Sequence, residues 1–108
     1  MPHEKYQSCI DACLKCAVAC EHCAAECLQE KDVAMMARCI QLDMDCADLC
    51  LASARLMARG SEEAPHICEH CAELCRKCAE ECRKHNTEHC RRCAEACDRC
   101  AEECEKMG

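Results

Sequence analysis

At 108 residues the chain is long enough for one hydrophobic core and too short for two. Nineteen cysteines, a single tyrosine and no Phe or Trp mean that sulfur must supply much of the interior, where free Cys behaves as a small apolar group. A net charge of −7 argues against nucleic-acid binding, which needs clustered Lys and Arg within reach of phosphates, and no stretch approaches the length of a membrane span.

The first helix is expected over residues 3–29. It carries Cys9, Cys13, Cys16, Cys20, Cys23 and Cys27. Steps of three and four residues turn by about −60° and +40° around an α-helix, so the series stays on one narrow face. Ile10, Ala12, Ala17, Ala19 and Ala24 flank that stripe, and small flanking residues let neighbouring helices approach closely. Tyr6 falls on the stripe before Cys9 and is expected to plug that end. His22 stands one step off it and reads as a flank residue.

The turn Glu30-Lys31-Asp32 is short, so the next helix, over 33–59, should lie antiparallel beside the first, with Asp32 as N-cap. Its sulfur stripe is a damaged copy of the spacing: Met36, Cys39, Asp43, Cys46, Cys50. Met35, Ile40, Leu42, Met44, Leu49, Leu51, Leu56 and Met57 exceed what one stripe can bury, so some should face another subunit. Gly60 reads as a C′ residue and Ser61 as an N-cap. Glu62 and Glu63 sit near the positive end of the next helix dipole, and Pro65 in its first turn.

That third helix is expected over 62–84, with Cys68, Cys71, Cys75, Cys78 and Cys82. Asn86 or Thr87 caps the fourth, over 87–107, with Cys90, Cys93, Cys97, Cys100 and Cys104. Cys78-Ala-Glu-Glu-Cys82 and Cys100-Ala-Glu-Glu-Cys104 repeat almost verbatim, so these two helices read as duplicated units. His66 and His70 read as surface, and the Glu and Lys runs as solvated faces. Four striped helices can hide their stripes only by turning them together. The expected fold is all-α: an antiparallel up-down-up-down four-helix bundle with a Cys-lined core, one domain over 1–108. One end then holds Tyr6, Met57, His66 and Met107, and the other Met36, His85 and His89.

The N-terminal stretch Met1 to Asp11 has no apolar run that could serve as a signal h-region, so the chain reads as cytosolic, where thiols stay reduced. Cβ atoms at i and i+4 lie about 5–6 Å apart, too far for a disulfide within a helix. Thiolates favour Cu(I), zinc or iron–sulfur clusters. Zinc knuckles and iron–sulfur ligands normally sit on turns and loops, whereas here every C-x2-C lies inside a helix. Sulfurs stacked along a helix suit an ion of low coordination number with bridging thiolates, and a pair at i and i+4 could grip Cu(I) almost linearly. Each Cu⁺ entering can displace a thiol proton, which keeps the core near neutrality and predicts roughly one Cu(I) per Cys, on the order of 15–20 ions.

The C-x3-C pairs on four antiparallel helices, the missing signal peptide and the turn from Cys82-Arg-Lys-His85 to His89-Cys90 resemble the bacterial cytosolic copper storage proteins over the whole chain. The resemblance implies a homotetramer that stores many Cu(I) ions inside each subunit, with all nineteen cysteines as ligands and no catalytic cycle. It also implies entry past His85 and His89. Met36 and Asp43 occupy ligand registers without a thiol, as a candidate entry residue and a candidate extra ligand. Two other readings remain open at the level of sequence: a metallothionein-like zinc or cadmium buffer, and a thiol oxidoreductase with one acidic, exposed thiol.

Overall fold

The computed structural model describes the backbone of residues 2–107 and the side chains of 4–107, so the expected domain, 1–108, reaches one residue beyond it at each end. Five α-helices follow in order, with no strand among the described residues: α1 (Pro2–Lys5), α2 (Gln7–Cys27), α3 (Ala37–Ala58), α4 (Ala64–Cys82) and α5 (Glu88–Glu105). A 3-10 turn, Val33–Met36, leads into α3.

The helix boundaries follow from local chemistry. At Tyr6 (φ −107°, ψ 6°) the backbone leaves helical geometry and separates the short α1 from α2, where a single helix was expected. Asp32 does cap, but it caps the 3-10 turn, its carboxylate accepting from the Met35 N–H at 3.4 Å. α3 ends on Gly60 at φ 66°, the left-handed position glycine favours. There the Gly60 N–H reaches the Met57 carbonyl and the Ser61 N–H reaches that of Leu56, the paired closure of a Schellman motif. Ser61 accepts from the Glu63 N–H in the turn before α4, which starts two residues later than the sequence suggests. Thr87 is the N-cap of α5, accepting from the Cys90 N–H at 3.1 Å.

The four long helices form a square: α2 packs on α3 and α5, and α4 on α3 and α5, in a body 48 × 18 × 18 Å. Every cysteine is buried. Alanines beside the stripes (Ala12, Ala17, Ala24, Ala47, Ala54, Ala72, Ala79, Ala94, Ala101) fill the seams between helices. This is the ordinary close-packing of a core, with sulfur in place of branched carbon. Outside, Arg76 pairs with Asp98 and Glu105, and Arg83 with Asp98, lacing α4 to α5. Met44, Leu51, Leu14 and Val18 remain exposed on the α3 and α2 surfaces. No helix among the described residues is long and apolar enough to cross a membrane.

Candidate metal centre

The helix stripes meet in layers. Between α3 and α4, Cys39 faces Cys82 at 3.6 Å, Cys46 faces Cys75 at 3.5 Å and Cys50 faces Cys71 at 3.7 Å. Between α2 and α5, Cys23 faces Cys90 at 3.9 Å, Cys20 faces Cys93 at 3.7 Å, Cys16 faces Cys97 at 3.7 Å, Cys13 faces Cys100 at 3.6 Å and Cys9 faces Cys104 at 3.7 Å. Cys16 and Cys46, at 3.9 Å, join the two halves. Within helices, i,i+4 pairs such as Cys16–Cys20 and Cys71–Cys75 are also 3.9 Å apart, and these connect the layers through the middle of the bundle. Cys27 extends the column beyond Cys23 and Cys90, at 3.9 Å from each. The result is a long column of free thiols from Cys9 and Cys104 to Cys20 and Cys93, with Cys39–Cys82 and Cys23–Cys27–Cys90 beyond it.

Several groups of four thiols have all their sulfurs within 4.8 Å of one another, among them Cys16–Cys46–Cys50–Cys75 and Cys23–Cys27–Cys39–Cys90. With a metal–sulfur bond of about 2.3 Å, two sulfurs on a three- or four-coordinate ion lie about 3.8–4.0 Å apart, and on a linear one about 4.6 Å. The resting spacing therefore suits three-coordinate, bridged binding directly. The near-linear grip expected for i,i+4 pairs requires those side chains to splay.

Asp43 interrupts the column one layer in from Cys39 and Cys82. Its side chain is fully buried, and Oδ1 accepts from the thiols of Cys78 and Cys93 at 3.2 Å each and Cys82 at 3.8 Å. Burial, and then the negative charge available to Cys93 and Cys78, push its carboxyl far above the usual carboxylate range, so it is a neutral acid in the metal-free core. Burial likewise pushes the Cys27 and Cys90 thiols up. A column of charged thiolates without metal would carry a prohibitive desolvation cost.

The two histidines at this end have different surroundings. The His85 ring, only 10% exposed, meets Glu81 with Nε2–Oε2 at 2.9 Å. Glu81 is an exception to the solvated Glu runs: it is buried and also paired with Lys84 at 3.4 Å and Arg38 at 3.6 Å. Burial opposes its charge, but the His85 hydrogen bond and Lys84 outweigh that and hold its carboxyl below the ordinary range. Met36 is buried nearby in the chain's α3 register, two steps before Asp43. His89 instead lines a groove between α2 and α5 with Leu14, Val18, His22 and Arg92, and its Nε2 is buried without a hydrogen-bond partner. His22 and His70 are exposed, as their off-stripe positions suggest.

Sequence reasoning passed over Glu81 and Ser53. Ser53 is fully buried on the α3 stripe, three residues after Cys50 and four before Met57, a spacing that could have revealed it.

Residues 2–108 match the family model described as copper storage protein. No curated protein matches. Among solved structures, the chain is 42% identical to the Cu(I)-bound copper storage protein BsCsp3, covering 94% of this chain and 95% of that one with a TM-score of 0.90. A cytosolic copper storage protein from Streptomyces lividans, with five coppers, is 41% identical over 98% of this chain and 93% of its own, with a TM-score of 0.93. The Streptomyces lividans copper storage protein Ccsp loaded with 10 copper equivalents is 43% identical over 92% and 80%, with a TM-score of 0.88. Sequence pattern, bundle and thiol column agree with these matches, and the chain belongs to the copper storage protein family.

Proposed function

We propose that this protein stores Cu(I) in the cytosol, many ions per subunit, bound by thiolates along the bundle axis. The carrying observation is the run of Sγ···Sγ distances between 3.5 and 4.0 Å that links buried thiols of all four long helices through the middle of the bundle. The ligands in this reading are Cys9, Cys13, Cys16, Cys20, Cys23, Cys27, Cys39, Cys46, Cys50, Cys68, Cys71, Cys75, Cys78, Cys82, Cys90, Cys93, Cys97, Cys100 and Cys104. Each entering Cu⁺ displaces one thiol proton, so the interior stays near neutral and the capacity is about one ion per cysteine.

Entry is at the end bearing Met36 and His85. The Glu81 carboxylate occupies Nε2 of His85, which leaves Nδ1 as the nitrogen able to meet an incoming ion. His89, at the start of α5 and next to Cys90 in the chain, is a further nitrogen donor. Asp43 supplies an oxygen beside Cys78 and Cys93 once it gives up its proton.

A role without a catalytic cycle is supported by the burial of the thiols, since an oxidoreductase needs an exposed, acidic nucleophile. The exposed Met44 and Leu51 on α3 fit contact with a second copy, in a homotetramer by family resemblance.

Anaerobic titration with Cu(I) against a competing chelator tests the reading. A break point at about 15–20 ions per chain is expected, with zinc displaced near stoichiometry. Saturation after two or three ions, or retention of zinc against Cu(I), overturns it.

A further inference from the structure

The column contains two oxygen-bearing positions, both on α3. One is Asp43, whose carboxyl is surrounded by thiol donors. The other, Ser53, is 0% exposed, and its Oγ has no hydrogen-bond partner. A buried hydroxyl left unpaired is costly, so a native structure that keeps one has a use for it or a partner that arrives later.

The register identifies its neighbours. Along α3 and α4 the facing pairs are Cys39–Cys82, Cys46–Cys75 and Cys50–Cys71. One further antiparallel step brings Ser53 opposite Cys68. The α2–α3 register set by Cys16–Cys46 carries Ser53 opposite Cys9. Cys9 and Cys104 are 3.7 Å apart, and the α3–α4 register places Cys68 in the same layer. Ser53 therefore shares a layer with Cys9, Cys68 and Cys104. This is the last layer before Met57, Ala64 and Tyr6 close the bundle.

We propose that Ser53 is the non-coordinating fourth member of a terminal three-thiolate Cu(I) layer, which holds one ion fewer than a layer of four cysteines and uses the serine hydroxyl as a hydrogen-bond donor to a loaded thiolate. The inference rests on the copper-storage reading. Each Cu⁺ bound there replaces one S–H proton, so charge balances ion for proton at Cys9, Cys68 and Cys104. The serine hydroxyl keeps its proton and cannot take part in that exchange. It stays unpaired beside neutral thiols and gains a charged acceptor when they become thiolates, an interaction of the stronger kind.

Native mass spectrometry resolves single copper ions and tests this with Ser53→Cys and Ser53→Ala, each saturated anaerobically beside the parent chain. Thiol counting on the unfolded chains first establishes one added thiol in Ser53→Cys. The expected result is one extra Cu(I) in Ser53→Cys and parental capacity in Ser53→Ala. The last ions of Ser53→Ala should also be lost to a competing chelator roughly tenfold more readily. Parental stoichiometry in Ser53→Cys, or the loss of an ion in Ser53→Ala, overturns the proposal. A parent chain that binds only two or three ions fails the storage reading instead, before either variant is considered.

Discussion

The two ends of the thiol column are closed by different chemistry. Beyond Cys9, Cys68 and Cys104 the cap is apolar: Met57 and Ala64 are fully buried, and Tyr6 and Met107 pack half-buried against the core. Beyond Cys23, Cys39, Cys82 and Cys90 the cap contains Cys27, Met36 and the His85–Glu81 pair. The first end holds the thioethers of Met57 and Met107 inside an apolar cap. The second brings sulfur, imidazole and carboxylate together, the set proposed above for entry. The termini of this bundle of repeated helices therefore differ, while its middle is nearly uniform.

The largest effect expected from perturbing this comparison is at the closed end. Met57→Ala opens a cavity in a fully buried position and should cost about 2–5 kcal/mol of metal-free stability, read by chemical denaturation. The rate of Cu(I) uptake should stay at the parental value, and faster uptake would show that this end also admits metal.

Next comes Asp43, one layer in from the end that bears His85. Its carboxyl titrates in the ordinary range when unfolded and far above it when folded, so folding takes up a proton. That stabilisation is complete below the unfolded pKa of about 4 and falls by up to about 1.4 kcal/mol per pH unit as pH rises above it. Asp43→Asn should remove this slope and make the metal-free protein more stable than the parent at neutral pH. Parallel stability profiles between about pH 5 and 8 would contradict a protonated Asp43.

The smallest effect is kinetic and belongs to the histidine-bearing end alone. His85→Ala should slow Cu(I) loading about tenfold, near 1.4 kcal/mol in the barrier, with final capacity unchanged. His89→Ala should act more weakly, because His89 lies in the α2–α5 groove and not in the Glu81 cluster. Stopped-flow uptake under anaerobic conditions separates the two. Equal rates in the parent and both variants would remove histidine from the entry path.

Much of this architecture can be read from the chain. The three-and-four spacing of Cys13 through Cys27, of Cys68 through Cys82 and of Cys90 through Cys104 requires one face per helix. Short connections around Asp32, Gly60 and Asn86 require antiparallel neighbours. Asp43 is visible as a missing sulfur in the α3 stripe. Ser53 was equally visible in principle, but a serine in a helix carries no signal of burial until its neighbours are known. Glu81 was hidden for the opposite reason: its place in a Glu-Glu run marks it as surface, and only the approach of His85, Lys84 and Arg38 makes burying it tolerable.

Spacing along the chain therefore determined the stripes, the bundle and the softness of the ligand set, because those depend on local helix geometry and on thiol chemistry. Tertiary structure alone decided which cysteines share a layer, that Asp43 sits neutral between Cys78 and Cys93, that the two histidines part company and that Ser53 completes a three-sulfur layer. Each of these depends on the axial register of one helix against another. That register is set by side-chain packing across the seams, which no periodicity within a single helix encodes.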